Sequence, residues 1–232
     1  MMKKVFITGI GSGLGKALAE VFLKNGYQVF ALSRHLPEEL KGKINFVQAD
    51  LLALEEIHLN MDRLLSGEAS IDIAVLNAGL LTPLKDIHQT PIYEMNRMMD
   101  LNVWANKVIL DYFIKKNVRL DQVIAISSGA SVNGNRGWHG YSISKAALNM
   151  LIKLYSREME NTHLIALAPG LILTPMLEEF VLSADEEKFP SVKRIKQAPK
   201  MTPEEAAEKI FGLIPRFKNE FESGSYLDVR KI

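Results

Sequence analysis

Val5-Phe6-Ile7-Thr8-Gly9-Ile10-Gly11-Ser12-Gly13-Leu14-Gly15 decides how the rest of this 232-residue chain is read. A short β-branched and aromatic run ends in a turn with four glycines in seven positions. Leu14, Ala17, Leu18, Val21 and Phe22 then recur at helical spacing up to Lys24. Asn25-Gly26 stops that helix, and Gln28-Val29-Phe30-Ala31-Leu32 reads as a second strand, which makes a βαβ unit with a parallel pair. Glycines at a strand-to-helix turn let the backbone approach a pyrophosphate, and the helix N-terminus offers it free N–H groups. The strict G-x-G-x-x-G spacing fails here, because the third glycine counted from Gly9 would fall on Leu14. Position rather than template carries the reading, and a purely structural βα turn is the alternative.

The alternation continues along the chain. Asn45-Phe46-Val47, Ile73-Ala74-Val75-Leu76, Gln122-Val123-Ile124-Ala125-Ile126 and Leu164-Ile165-Ala166-Leu167 read as strands, and Tyr226-Leu227-Asp228-Val229 as a seventh. Helices are expected over Leu54 to Leu65, Pro91 to Lys116 and Tyr141 to Met159, and after the cap Thr202-Pro203-Glu204-Glu205. Near-continuous apolar strands imply that both sheet faces are covered. The expected fold is α/β: a Rossmann-type, doubly wound parallel sheet of about seven strands with helices on both faces and ligands at the strand carboxyl ends. Residues 1–232 are expected to form one dinucleotide-binding and catalytic domain. Leu173 to Lys200 shows no clear periodicity and carries Pro175, Pro190 and Pro199, so about 173–200 is read as a loop acting as a substrate lid.

Composition narrows the function. A formal net charge of +1 provides no field toward nucleic acid or an anionic membrane, which favours a small-molecule partner. The absence of cysteine excludes disulfides and thiolate metal sites and suits a reducing, cytoplasmic compartment. The apolar run before Thr8-Gly9 is too short for a signal-peptide core, so no leader is expected, and no stretch is long enough to span a membrane. The five histidines, at 35, 58, 88, 139 and 163, show no metal-ligand spacing, so no metal is expected.

The end of the second strand is where the adenosine ribose of a dinucleotide lies, and a carboxylate there binds the 2′-hydroxyl. Here the residues are Ser33-Arg34-His35. A guanidinium able to pair with a 2′-phosphate favours NADP(H) over NAD(H), with a solvated surface arginine as the alternative. Asp50, with Leu51 beside it, follows the third strand and either accepts from the adenine amine or caps a helix.

Tyr141 and Lys145 stand four apart on a predicted helix, hence on one face. A tyrosine with its ordinary pKa near 10 needs a neighbouring positive charge to act as an acid-base catalyst at neutral pH, and Lys145 is placed to lower it. Ser128 ends the preceding strand, where its hydroxyl can bond a substrate carbonyl oxygen beside the tyrosine. Tyr-x-x-x-Lys alone is weak evidence. The set is specific: Thr8-Gly9-x-x-x-Gly13-x-Gly15, Leu76-Asn77-Ala78-Gly79, Asn102, Ser128, Tyr141-x-x-x-Lys145, and Pro169-Gly170 followed by Thr174. In this order the motifs resemble the single-domain branch of the short-chain dehydrogenase/reductase family.

That resemblance implies carbonyl reduction by hydride transfer, with Tyr141 as general acid and Ser128 as substrate orienter. Lys145 becomes both a nicotinamide-ribose ligand and the activator of the tyrosine. It assigns Asn102 to a water-mediated proton relay with Lys145, the alternative being a polar residue inside a helix. It assigns Gly9, Ser12, Gly13, Leu14, Gly15, Asp50, Leu51, Asn77, Ala78, Gly79, Pro169 and Gly170 to the cofactor. Thr174 becomes a carboxamide contact or a simple turn cap. The stretches Ser127-Ser128-Gly129-Ala130-Ser131 and Arg136-Gly137-Trp138-His139-Gly140-Tyr141 are similar to the sepiapterin reductase and benzil reductase relatives. They suggest that Trp138 either stacks on an aromatic diketone or pterin or packs in the core. His139 either touches substrate or lies on the surface, and Leu80, Leu81, Met176, Leu177 and Phe180 form an apolar wall.

Two positions depart from the family pattern. Ser12 stands where NADP-preferring members often carry a basic residue, which leaves the cofactor preference resting on Arg34. The C-terminus lacks the Asp-Gly-Gly ending of tetrameric relatives, so a homodimer through the two long helices is expected rather than a tetramer, with a monomer as the alternative. Two rival readings remain: an NADP(H)-binding redox sensor without turnover, and a nucleotide-sugar epimerase or dehydratase, for whose added substrate domain the 32 residues after Lys200 are too few.

Overall fold

Alternate side chains of β1 (Lys4–Thr8) enter different cores: Val5 and Ile7 go to one, Phe6 to the other. This is the two-residue period of a strand buried on both faces. The first core takes α1 (Gly13–Lys24) through Leu14, Leu18 and Phe22, and the final helix through Ile210, Leu213 and Phe217. The second takes α2 (Ile57–Leu64), the helix Ala105–Lys115 and the helix carrying Tyr141. Phe6 and Phe113 meet edge-to-face at 5.8 Å, a geometry worth about 0.5–1.5 kcal/mol beyond area burial. The chain is described by a computed structural model covering residues 2–232, with the side chains of residues 180–183 outside the described set.

The remaining strands are β2 (Gln28–Ser33), β3 (Asn45–Gln48), β4 (Ser70–Leu76), β5 (Arg119–Ile126), β6 (His163–Ala168) and β7 (Ser225–Asp228). They form one seven-stranded sheet in the order β3-β2-β1-β4-β5-β6-β7. Every pairing is parallel, with Val5 opposite Val29 on one side and Ile73 on the other. The order reverses at β1 and β4, which opens a crevice at their carboxyl ends.

The helix expected over Pro91 to Lys116 is interrupted. It comprises α3 (Ile92–Met99), a π-helical turn at Asp100–Trp104 and α4 (Ala105–Lys115). The π turn shifts the backbone register around Asn102, and the Asn106 amide side chain donates to the Asn102 carbonyl at 2.9 Å. The segment expected as an aperiodic loop also differs. It holds α6 (Pro175–Ser183) and α7 (Pro190–Gln197). Both start on a proline, which is read from sequence as a breaker but is tolerated in the first turn, where its missing N–H has no intrahelical partner. Before them in the chain lies α5 (His139–Glu158), and α8 (Pro203–Glu220) follows them with Thr202 and Glu205 in a reciprocal capping box, worth about 1 kcal/mol. Among the described residues no helix is long and apolar enough to cross a membrane.

Candidate active site

A cleft of about 600 Å³ runs over the carboxyl ends of the strands. Its floor is the glycine turn. Gly9 and Gly13 adopt φ of +73° and +55°, a region that disfavours side chains. A Cβ on Gly15 would lie 2.1 Å from the Gly9 carbonyl oxygen and 2.5 Å from Asn77 Nδ2, so α1 can start this close to β1 only with glycine there. Ser12, at the N-cap of α1, makes no side-chain capping bond, and the first turn carries no acidic residue. The helix N-terminus therefore faces the cleft with its positive end uncompensated by side chains, which fits a dinucleotide pyrophosphate.

Asn77 follows β4 and stitches it to β1. Its Nδ2 donates to the Thr8 and Gly9 carbonyls at 3.1 and 3.0 Å, while the Asn77 and Ala78 N–H groups donate to Thr8 Oγ1 at 3.0 Å each. Gly79 closes that wall; a Cβ there would lie 3.4 Å from both Asn102 Oδ1 and Lys145 Nζ. Arg34 is exposed at the end of β2 and lines the cleft with Asp50 and Leu51. No carboxylate among the described residues pairs with Arg34. Asp50 accepts from the Leu52 N–H at 3.0 Å in a turn and caps no helix, the N-cap of the helical turn that follows being Ala53, and its exposed carboxylate borders the adenosine end of the cleft.

Ser128, Tyr141 and Lys145 meet where β5 runs into α5. Ser128 Oγ accepts from the Ala130 N–H at 3.1 Å, and Ser128 and Tyr141 line the same cleft, near enough for the serine to favour the ionised form of the tyrosine. Lys145 is buried, lies 5.8 Å from the Tyr141 ring centre and donates to the Ile126 carbonyl at 2.7 Å. Burial pushes the Lys145 ammonium down to about 8. The expected lowering of the tyrosine by Lys145 is corrected: burial raises the Tyr141 hydroxyl above its ordinary value, opposed by the smaller pull of Ser128. The phenol is accordingly neutral at neutral pH.

Asn102 is fully buried and holds the Leu80 backbone at both ends. Its Oδ1 accepts from the Leu80 N–H at 2.7 Å, and its Nδ2 donates to the Leu80 carbonyl and to Ser144 Oγ, both at 2.9 Å. Pro169, Gly170 and Thr174 line the far end of the cleft. Thr174 caps α6, accepting from the Leu177 N–H at 3.3 Å, and its methyl lies 3.0 Å from a Cβ position on Gly13.

Trp138 lines the cleft yet is only 9% exposed. Its ring lies 5.9 Å from that of Tyr141, and its Nε1 donates to Ser191 Oγ on α7 at 3.0 Å. Phe189 and Val192 complete that cluster, which binds the segment of α6 and α7 to the catalytic wall. His139 neither lines the cleft nor lies on the surface. It is buried, bonded to the Pro83 carbonyl at 3.2 Å and accepting from the Gly140 N–H. Leu80, Leu81, Met176 and Leu177 line the cleft as expected, whereas the side chain of Phe180 is outside the described residues. Sequence reasoning missed the Ile126 carbonyl, which has no residue signature, and Arg97, one helical turn before Leu101 at the cleft edge.

Comparison with known proteins agrees with this geometry. The model of the family described as short chain dehydrogenase matches residues 3–184. Benzil reductase ((S)-benzoin forming) of Bacillus subtilis (strain 168) is 30% identical over 245 residues, covering 99% of this chain and 99% of the relative. The NADPH-dependent pterin aldehyde reductase of Arabidopsis thaliana is 28% identical, covering 84% and 86% of the two chains. A solved structure, ElxO with NADP bound, superposes with a TM-score of 0.79 at 28% identity, covering 99% of this chain and 97% of that one. The chain belongs to the short-chain dehydrogenase/reductase family and is an oxidoreductase.

Proposed function

We propose that the chain is an NADP(H)-dependent carbonyl reductase that converts a ketone or diketone to an alcohol. One observation carries this: Ser128, Tyr141 and Lys145 line the same cleft as the uncapped N-terminus of α1, with the Lys145 ammonium 5.8 Å from the Tyr141 ring. Gly9, Ser12, Gly13, Leu14 and Gly15 would hold the pyrophosphate. Asp50, Leu51, Asn77, Ala78 and Gly79 would border the adenosine side, and Pro169, Gly170 and Thr174 the nicotinamide side. When bound, the nicotinamide supplies the hydride.

Ser128 accepts from Ala130, which leaves its own O–H to donate to a substrate carbonyl oxygen. Tyr141, kept neutral by burial, donates its proton to that same oxygen as charge develops there. Lys145, with a value of about 8, is mostly cationic at neutral pH and balances the tyrosinate that results. It would also reach the nicotinamide ribose. Asn102 acts through the backbone it holds at Leu80, on the side from which a relay toward Lys145 would pass. Arg34, with no carboxylate partner among the described residues, suits a 2′-phosphate and sets the preference for NADP(H).

Leu80, Leu81, Met176 and Leu177 with the Trp138 ring make an apolar wall suited to an aromatic ketone or diketone, in keeping with the benzil reductase relatives. We take residues 1–232 as one catalytic unit, with α6 and α7 as its lid. Trp104, Met150 and Leu154 are exposed on α4's start and α5, and their apolar surface favours a homodimer through those helices. A cytoplasmic location fits the cysteine-free composition.

The test is loss of reduced-nicotinamide absorbance, with NADPH and NADH in parallel, against benzil, other aromatic diketones, a pterin diketone and simple aldehydes. Turnover of a ketone with NADPH is expected. Tight NADPH binding with no turnover on any carbonyl would replace this reading with that of a redox sensor.

A further inference from the structure

Three residues on successive turns of α5 face the end of β5. Tyr141 lines the cleft with Ser128, Lys145 donates to Ile126, and the third, Asn149, touches neither substrate cleft nor cofactor wall. Both ends of the Asn149 amide are engaged. Ser127 Oγ donates to Asn149 Oδ1 at 2.6 Å, and Asn149 Nδ2 donates to Ser131 Oγ at 2.9 Å. Ser131 Oγ in turn donates to the Ser128 carbonyl at 2.6 Å, and the Tyr226 hydroxyl from β7 donates to that same carbonyl at 3.4 Å. Asn149 therefore grips the residues on both sides of Ser128, one directly before it and one three residues later.

This arrangement answers a mechanical problem. Ser128 lies beyond the last ladder residue of β5, in a turn whose glycine, Gly129, adds freedom. Its hydroxyl and that of Tyr141, on a different element, must bond one substrate oxygen together, and a shift of about 1 Å at a reacting group can cost on the order of a hundredfold in rate. A half-buried amide bonded at both ends has one favoured orientation, so it transmits the position of α5 to the serine turn.

We propose that Asn149 is a positioning residue that locks the catalytic-serine turn to the helix bearing Tyr141 and Lys145. The inference rests on the reductase reading for its kinetic consequence, but the geometry can also be read without turnover. Asn149→Leu should lower kcat at least tenfold while the Kd for NADPH stays within twofold of wild type. In a Ser128→Ala background the same substitution should change kcat by less than twofold, because the group through which Asn149 acts is gone. Carbon-13 tyrosine NMR, with Tyr141 assigned by its absence in Tyr141→Phe, should show the Tyr141 titration moving up in Asn149→Leu as it does in Ser128→Ala, without adding in the double variant.

Asn149→Asp, which keeps the acceptor for Ser127 and loses the donor to Ser131, and Ser131→Ala test the same link should Asn149→Leu fold poorly. Each should lower kcat by a smaller factor. Wild-type kcat and an unmoved Tyr141 titration in these variants would overturn the proposal, as would a loss that persists undiminished without Ser128 or that falls equally on NADPH binding. If the wild-type protein turns over no carbonyl, the reductase reading fails, while the NMR titration still decides the role of Asn149.

Discussion

Lys145 donates to the Ile126 carbonyl at 2.7 Å, so the ammonium is tethered to the end of β5 and faces the Tyr141 ring from 5.8 Å. The tether keeps a charge in a buried place, and its cost is measurable. Folded Lys145 lies at about 8 against an ordinary 10.5, so the unfolded chain binds more protons between those values and the penalty is complete below pH 8. Wild-type stability should therefore gain on that of Lys145→Met as pH rises from 7 to 10.5, by up to about 3 kcal/mol. Urea unfolding of both proteins at the two pH values checks this, and a constant difference would refute a depressed lysine.

Tyr141→Phe removes the proton donor and leaves the ring against Trp138. A kcat loss of about 10² to 10⁴-fold is expected, with NADPH affinity nearly intact. Stopped-flow hydride transfer and fluorescence titration separate the two; wild-type turnover would remove Tyr141 from the mechanism.

Arg34→Ala should weaken NADPH by roughly 10 to 150-fold, the range for a hydrogen bond to a charged group, and leave NADH almost unchanged. Equal losses for both would mean that Arg34 is a solvated surface residue.

Gly15→Ala places a methyl 2.1 Å from the Gly9 carbonyl oxygen. Overpacking of this kind costs about 1–3 kcal/mol or more, and α1 must also withdraw from the pyrophosphate position. Thermal unfolding should show a lower Tm, and NADPH should bind more weakly; a variant with wild-type values of both would contradict the tight helix-to-strand approach.

Asp86 is bonded to Arg136 through both carboxylate oxygens, at 2.7 and 2.9 Å, and lies 3.2 Å from Lys188 between α6 and α7. These partners hold its carboxyl well below the usual range, Arg136 foremost. Asp86→Asn should loosen the α6–α7 segment from the catalytic wall and raise the KM for the carbonyl several-fold, while the Kd for NADPH is kept. Unchanged KM would show that the Trp138 to Ser191 bond and the Phe189 packing suffice.

The legible parts were those whose chemistry is bound to residue type. Glycine alone fits between Gly9 and Asn77, so Gly15 announces itself, and Tyr141 with Lys145 announces one helical face. Relations between distant segments left no such mark. The partner of Lys145 is a main-chain carbonyl, and Trp138 finds Ser191 across 53 residues of chain. The helices α6 and α7 were hidden because proline signals a break unless its place in the first turn is known. The π turn at Asp100–Trp104 depends on how Asn102 and Asn106 are held by their neighbours, which helical periodicity does not encode. The raised Tyr141 hydroxyl escapes the sequence for a related reason: residue spacing reports which charge is near, whereas burial, the larger influence here, comes from the whole fold.

The chain has two tryptophans, and the fold has given them separate surroundings. Trp104 is 42% exposed where the π turn meets α4, while Trp138 is enclosed between Tyr141 and α7. Their emission therefore divides by colour as well as by location, the exposed indole to the red and the enclosed one to the blue. With Trp104→Phe, the remaining signal follows the seating of α7 over the catalytic tyrosine; with Trp138→Phe, it follows whatever covers the outer face of the long helix. The protein thus carries its own pair of optical reporters, each readable by a single conservative change and without any attached dye.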